Sequence, residues 1–81
     1  MIIKVDIEKF LKQFRKEYNF LYDNYDNVAG YREALEYGDY FLKQEKNKEF
    51  VKEFILYRGD FISSDREVVA FAFALEALEL I

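Results

Sequence analysis

The chain has no cysteine, proline, histidine or tryptophan, and no threonine. Each absence closes a class of structure or chemistry. Without cysteine there is neither a disulfide nor a thiolate metal site. Without histidine the usual proton shuttle near neutral pH is missing, and so is the Glu-x-x-His pair of di-metal bundles. Without cysteine or threonine the nucleophiles reduce to Ser63, Ser64, lysines and carboxylates. No enzyme, cofactor or metal site is therefore expected. Without proline no helix has a forced kink. Long hydrophobic runs are lacking too. The longest, Val68 to Leu75, is far short of a bilayer span. Met1 to Val5 reaches Asp6 before any extended apolar stretch, which does not fit a secretion signal. The expected location is the cytoplasm, away from membranes.

What is present suits folding. Of 81 residues, 52% are hydrophobic and 20% aromatic, rich enough to exclude general disorder. That length makes one domain, residues 1–81. A formal charge of −4 argues against broad binding to nucleic acid or anionic membranes.

Four helical patterns can be read. Ile7, Phe10, Leu11, Phe14, Tyr18 and Leu21 share one face of a helix from about Ile7 to Tyr22, with Asp6 as N-cap. The opposite side carries Lys9, Lys12, Arg15 and Lys16. Ile2, Ile3 and Val5 before it suit a short strand or a packed arm. A second helix spans about Val28 to Glu45, with Tyr31, Ala34, Leu35, Gly38, Phe41 and Leu42 as its stripe. Gly38 on that stripe costs about 1 kcal/mol against alanine, so it marks either a close helix crossing or a break. A third helix runs from about Lys48 to Arg58, with Asn47 as a candidate cap and Gly59 as its left-handed end. It is separate from the second or continuous with it. Ser64 and Glu67 match a capping box. The stretch from Val68 to Ile81 is apolar nearly all round, as in the central helix of a bundle or half of a homodimer seam. The expected fold is all-α, a compact bundle of about four helices with a short extended arm at the N-terminus.

Charge and tyrosine are unevenly spread. Residues 1–22 hold five bases and three acids, whereas residues 23–45 hold two bases and six acids. Six of the seven tyrosines fall between Tyr18 and Tyr40. Tyr18 and Tyr31 fit apolar stripes. Tyr22, Tyr25, Tyr37 and Tyr40 do not, and they stand among Asp26, Glu33, Glu36 and Asp39. Exposed tyrosines beside carboxylates suit an interface that buries rings and steers a basic partner. The plainer reading is a pair of solvated faces, basic on the first helix and acidic on the second, that attract each other across the fold.

Three shorter motifs carry less. Arg58-Gly59-Asp60 spells an adhesion tripeptide, but Gly59 already has a helix to end. Asp23, Tyr25 and Asn27 fall at calcium-loop offsets, yet Val28 and Ala34 stand where that loop needs Gly and Glu. Glu33 with Glu36, and Glu76 with Glu79, are one turn apart without the histidine that di-metal sites use.

Tyr18, Leu21, Tyr25 and the run Tyr31-Arg32-Glu33-Ala34-Leu35-Glu36-Tyr37 resemble a single tetratricopeptide unit, which packs as a helix hairpin. Tyr22 stands where that family has Gly, Phe41 where it has a small Ala, no Pro follows, and nothing recurs at its 34-residue period. The resemblance covers about a third of the chain and implies no particular function.

The functional expectation is a small acidic interaction protein of inhibitor or immunity type, masking a basic site on a larger protein. Its face would be Tyr22, Tyr25, Asp26, Glu33, Glu36, Tyr37, Asp39 and Tyr40. The alternatives are a nucleic-acid-binding regulator using Lys9, Lys12, Arg15 and Lys16 on phosphates, and a homodimeric structural subunit.

Overall fold

A computed structural model describes residues 6–24 and 27–80. Four helices follow one another: α1 (Ile7–Asn24), α2 (Tyr31–Lys43), α3 (Lys48–Arg58) and α4 (Asp65–Ala77), with a 3-10 turn at Glu45–Asn47. No strand occurs among the described residues, and the chain is an all-α bundle as its periodicity predicts. The N-terminal arm expected from Ile2, Ile3 and Val5 lies outside the described residues. No described helix is long and apolar enough to cross a membrane.

The helix ends follow local chemistry. Asp6 Oδ1 accepts from the backbone N–H groups of Glu8 at 3.0 Å and Lys9 at 3.3 Å, capping α1. Gly59 is left-handed at φ 84°, and its N–H donates to the Ile55 carbonyl, closing α3. At α4 the Glu67 N–H donates to Ser64 Oγ, and the Ser64 N–H donates back to the Glu67 carboxylate, completing the capping box.

Several helix ends differ from the sequence expectation. α2 begins at Tyr31 rather than Val28, because Gly30 at φ 79° turns the chain first and lets Val28 pack on the core. Gln44 is extended at ψ 131°, so α2 and α3 are separate helices. Asn47 does not cap α3 with its side chain. The first N–H of α3, on Lys48, already donates to the Glu45 carbonyl of the 3-10 turn. The buried Asn47 amide instead donates at 3.0 Å to the Phe41 carbonyl in the last turn of α2, which also accepts from the Gln44 N–H at 3.3 Å. α4 stops at Ala77 rather than Ile81. Glu79 turns left-handed at φ 57°, and Leu80 folds back to donate to the Leu75 carbonyl while packing on the core.

α4 is the axis. Val68 to Leu75 are buried except for half-buried Phe73, so the apolar girth of this helix is filled within the chain. Around it α1, α2 and α3 converge through rings. Phe71 of α4 lies 5.0 Å from Phe10 of α1, 5.6 Å from Phe41 of α2 and 5.1 Å from Phe54 of α3, centroid to centroid. Most of these contacts are edge-to-face, the arrangement the ring quadrupole favours. α1 and α3 run alongside in the same sense, as Phe10 meets Phe50 and Phe54, and Phe14 meets Phe54.

α2 runs opposite to α4 and touches it at Gly38. A Cβ there would come 2.7 Å from Val68 Cγ1 and 2.8 Å from the Val68 carbonyl oxygen. Gly38 therefore marks the close crossing and not a break. α1 and α2 each pack on α4 far more than on each other. This overrules the tetratricopeptide-like hairpin, in which those two helices would be mutual partners.

The α3–α4 connection is held by one ion pair. Arg58 binds the buried Glu67 carboxylate, which also accepts from the backbone N–H groups of Ser63 and Ser64 and from the Ser64 hydroxyl. Burial pushes the Glu67 carboxyl up. The hydrogen bonds from Ser63 and Ser64 and the Arg58 charge together outweigh burial and hold it below its ordinary value.

Two outcomes follow for stability. Gly38→Ala would gain about 1 kcal/mol in a free helix, but here its methyl meets a backbone oxygen. It should lower stability in urea unfolding by roughly 1–3 kcal/mol from overpacking; a stabilised variant would mean that α2 and α4 are not in contact there. Glu67 has a folded pKa below its unfolded one, so its contribution is present above the ordinary glutamate range and is lost as pH falls through the folded value. The wild type should lose stability in that acid window more steeply than Glu67→Gln, and identical pH profiles would contradict the network.

Candidate interaction surface

The inward stripe of α2 decides what the helix shows outside. With Ala34, Leu35, Gly38 and Phe41 turned to the core, Glu33, Glu36, Tyr37 and Tyr40 follow at i, i+3, i+4 and i+7 on the outer face. All four are exposed, Tyr40 to 65% and Tyr37 to 40%. No ion pair among the described residues engages Glu33 or Glu36. Asp39 stands on the flank of this ridge, 3.9 Å from Lys43 in an exposed i, i+4 pair that contributes little.

Two of the eight expected residues cannot join this description, because Tyr25 and Asp26 lie outside the described residues. Tyr22 is exposed but belongs to α1, where the Arg66 guanidinium lies 5.2 Å from its ring centroid. The continuous ridge is therefore Glu33, Glu36, Tyr37 and Tyr40, with Asp39 beside it.

The ridge also borders a groove that the sequence did not reveal. Between α2 and α4 an open cleft of about 450 Å³ is floored by Gly30, Ala34 and Ala72 and walled by Glu33, Tyr37, Phe73 and Glu76. Phe73 and Glu76 also line a second cleft with Glu17 of α1 and Ala77. Three carboxylates from three helices thus follow one another across the molecule. Glu76 had a signal in sequence, as an interruption of an otherwise apolar helix. Its neighbourhood to Glu33 and Glu17 depends on α4 lying between α1 and α2. No group of three or more carboxylates among the described residues is arranged to hold a metal ion.

The basic side is real and separate. Lys9, Lys12, Arg15 and Lys16 are all exposed on the face of α1 away from the core. No ion pair among the described residues joins them to α2. The two strips do not neutralise each other by contact, because α4 stands between their helices. Arg15 edges a groove of about 290 Å³ with Phe14, Tyr18, Asn19 and Arg58. Arg58 in that groove is already held by Glu67 and lies 5.3 Å over the Phe14 ring. The same inward hold explains why Arg58-Gly59-Asp60 does not present its arginine as an adhesion loop would. Asp23 lies in the last turn of α1.

No family model, curated protein or solved structure matches the chain.

Since the ridge carboxylates have no ion-pair partner among the described residues beyond Lys43, reversing them should leave the fold intact. The triple variant Glu33→Lys, Glu36→Lys and Asp39→Lys is expected to change thermal stability by less than about 1 kcal/mol per site. A large drop in the melting midpoint would assign these groups a structural role.

Proposed function

We propose that the chain is a small cytoplasmic protein-interaction module, of the inhibitor or immunity type known from phages and bacteria, that covers a basic site on a larger protein with the acidic, tyrosine-bearing ridge of α2. One observation carries this reading. Tyr37 and Tyr40 are exposed beside Glu33 and Glu36, and no ion pair among the described residues engages those two carboxylates. Interfaces favour aromatic side chains that bury a large apolar body while keeping a polar tip. Carboxylates around them raise the rate of encounter with a cationic surface. The cleft walled by Glu33, Tyr37, Phe73 and Glu76 gives a partner lysine or arginine a place beyond the ridge itself.

A second reading rests on the exposed basic face of α1, where Lys9, Lys12, Arg15 and Lys16 would meet phosphates and Tyr18 would stand beside them. Retention on a heparin column at low salt would favour it over the first.

The test starts from a pull-down out of host lysate with identification by mass spectrometry. Against the captured protein, the triple lysine variant should associate more slowly and with a flatter salt dependence. Tyr37→Ala and Tyr40→Ala should act on dissociation, each costing about 2 kcal/mol if the rings are buried anchors. Wild-type binding by all of these variants would remove the ridge from the interface.

A further inference from the structure

The side of the molecule formed by α3 and the end of α2 has a different chemistry. The two most exposed large apolar side chains there are Leu56, at 74%, and Phe61, at 70%. They edge a shallow groove of about 300 Å³ whose floor is Leu42, Val51 and Ile55. Leaving such side chains in water forgoes about 25 cal/mol for each Å² of apolar surface, and neighbouring exposed apolar groups of this kind mark interaction sites more often than isolated ones do.

Phe61 is not a loose residue. Its N–H donates to Asp60 Oδ1 at 2.7 Å, and its carbonyl accepts from Arg58 Nη1 at 2.9 Å. Arg58 is in turn bound to the buried Glu67. The carbonyl side of Phe61 is therefore tied to the α3–α4 ion pair through Arg58, and its N–H to the adjacent Asp60, while the ring faces solvent. A fixed aromatic costs little further entropy when a partner covers it.

The charged side chains that line the groove are of one sign, although Glu45 and Asp60 stand nearby. Lys48 and Lys52, one turn apart on α3, are the charged residues lining it, and no carboxylate does. That is notable in a chain of net charge −4. Glu49 and Glu53 of the same helix are exposed beyond Leu56 and do not line the groove. Lys48 has only an exposed 3.8 Å contact with Glu45, which a new partner can replace.

We infer that this groove is a docking site for an amphipathic helix of a partner protein, apolar along one stripe and acidic on its flanks. The apolar stripe would lie on Leu42, Val51 and Ile55 between Leu56 and Phe61, and the flanking acids would meet Lys48 and Lys52. A helix fits better than an extended strand, because no sheet edge exists among the described residues to pair with one. The site is independent of the α2 ridge and opposite to it in charge.

The test uses the whole chain and two fluorescein-labelled peptides of about 15–20 residues, long enough to form helix on binding. Both have leucine at i, i+3, i+4 and i+7; one has glutamate and the other lysine at the remaining positions. In fluorescence anisotropy at low salt the glutamate peptide should bind at least about ten-fold tighter, with the advantage shrinking as salt rises. Lys48→Glu with Lys52→Glu should invert that preference. Leu56→Asp and Phe61→Asp, at exposed positions that leave the core alone, should each weaken binding about ten-fold or more. The ridge variant Glu33→Lys, Glu36→Lys and Asp39→Lys should bind as wild type, which keeps this outcome separate from the fate of the ridge. Equal affinity for the two peptides, or no effect of Leu56→Asp and Phe61→Asp, would overturn the assignment. So would self-association in sedimentation equilibrium that these two variants abolish, since the occupant would then be a second copy of the chain.

Discussion

Phe71 is the side chain on which the rest of the bundle depends. It sits on the central helix and meets rings from each of the other three. In a chain without tryptophan or disulfides, this ring cluster supplies much of the buried apolar area. It also sets the order of packing, since each outer helix gains most by presenting its phenylalanines to α4. The Gly38 crossing has the same effect on one side, bringing α2 close enough to α4 for backbone and side chain to touch.

Once α4 is the axis, the outer faces are assigned. The basic face of α1 and the acidic ridge of α2 end up on different sides of the molecule and are not paired by contact. The ridge keeps two tyrosines and two carboxylates exposed on its outer face. α3 spends its phenylalanines on the ring cluster and leaves Val51, Ile55 and Leu56 beside Phe61 on the outside. The Arg58–Glu67 pair links the two regions, for it starts α4 correctly and also holds the backbone from which Phe61 projects.

The two outward surfaces differ in chemistry, acidic with tyrosines on α2 and apolar with lysines on α3. One would attract a basic protein by charge and hold it through tyrosines. The other would take an apolar stripe with acidic flanks. Neither needs the histidine or cysteine that the chain lacks. Both leave the aromatic core untouched, so binding and folding can be changed separately by substitution.

Much of the fold was legible in the residues themselves. The capping box at Ser64 and Glu67, the Asp6 cap, the left-handed Gly59 and the 3.6-residue stripes are local features, and local backbone chemistry carried them unchanged into the structure. Glu33, Glu36, Tyr37 and Tyr40 were legible as an outward face for the same reason, since helical spacing alone turns them away from Phe41 and Gly38. What tertiary structure decided is which elements meet. Asn47 gave up its expected cap to reach the Phe41 carbonyl, and Gly30 and Leu80 shortened their helices so that Val28 and Leu80 could reach the core. The carboxylates of Glu17, Glu33 and Glu76 came to border adjoining clefts, and Leu42 came beside Phe61. These depend on where one element packs against another, and helical periodicity has no information about that.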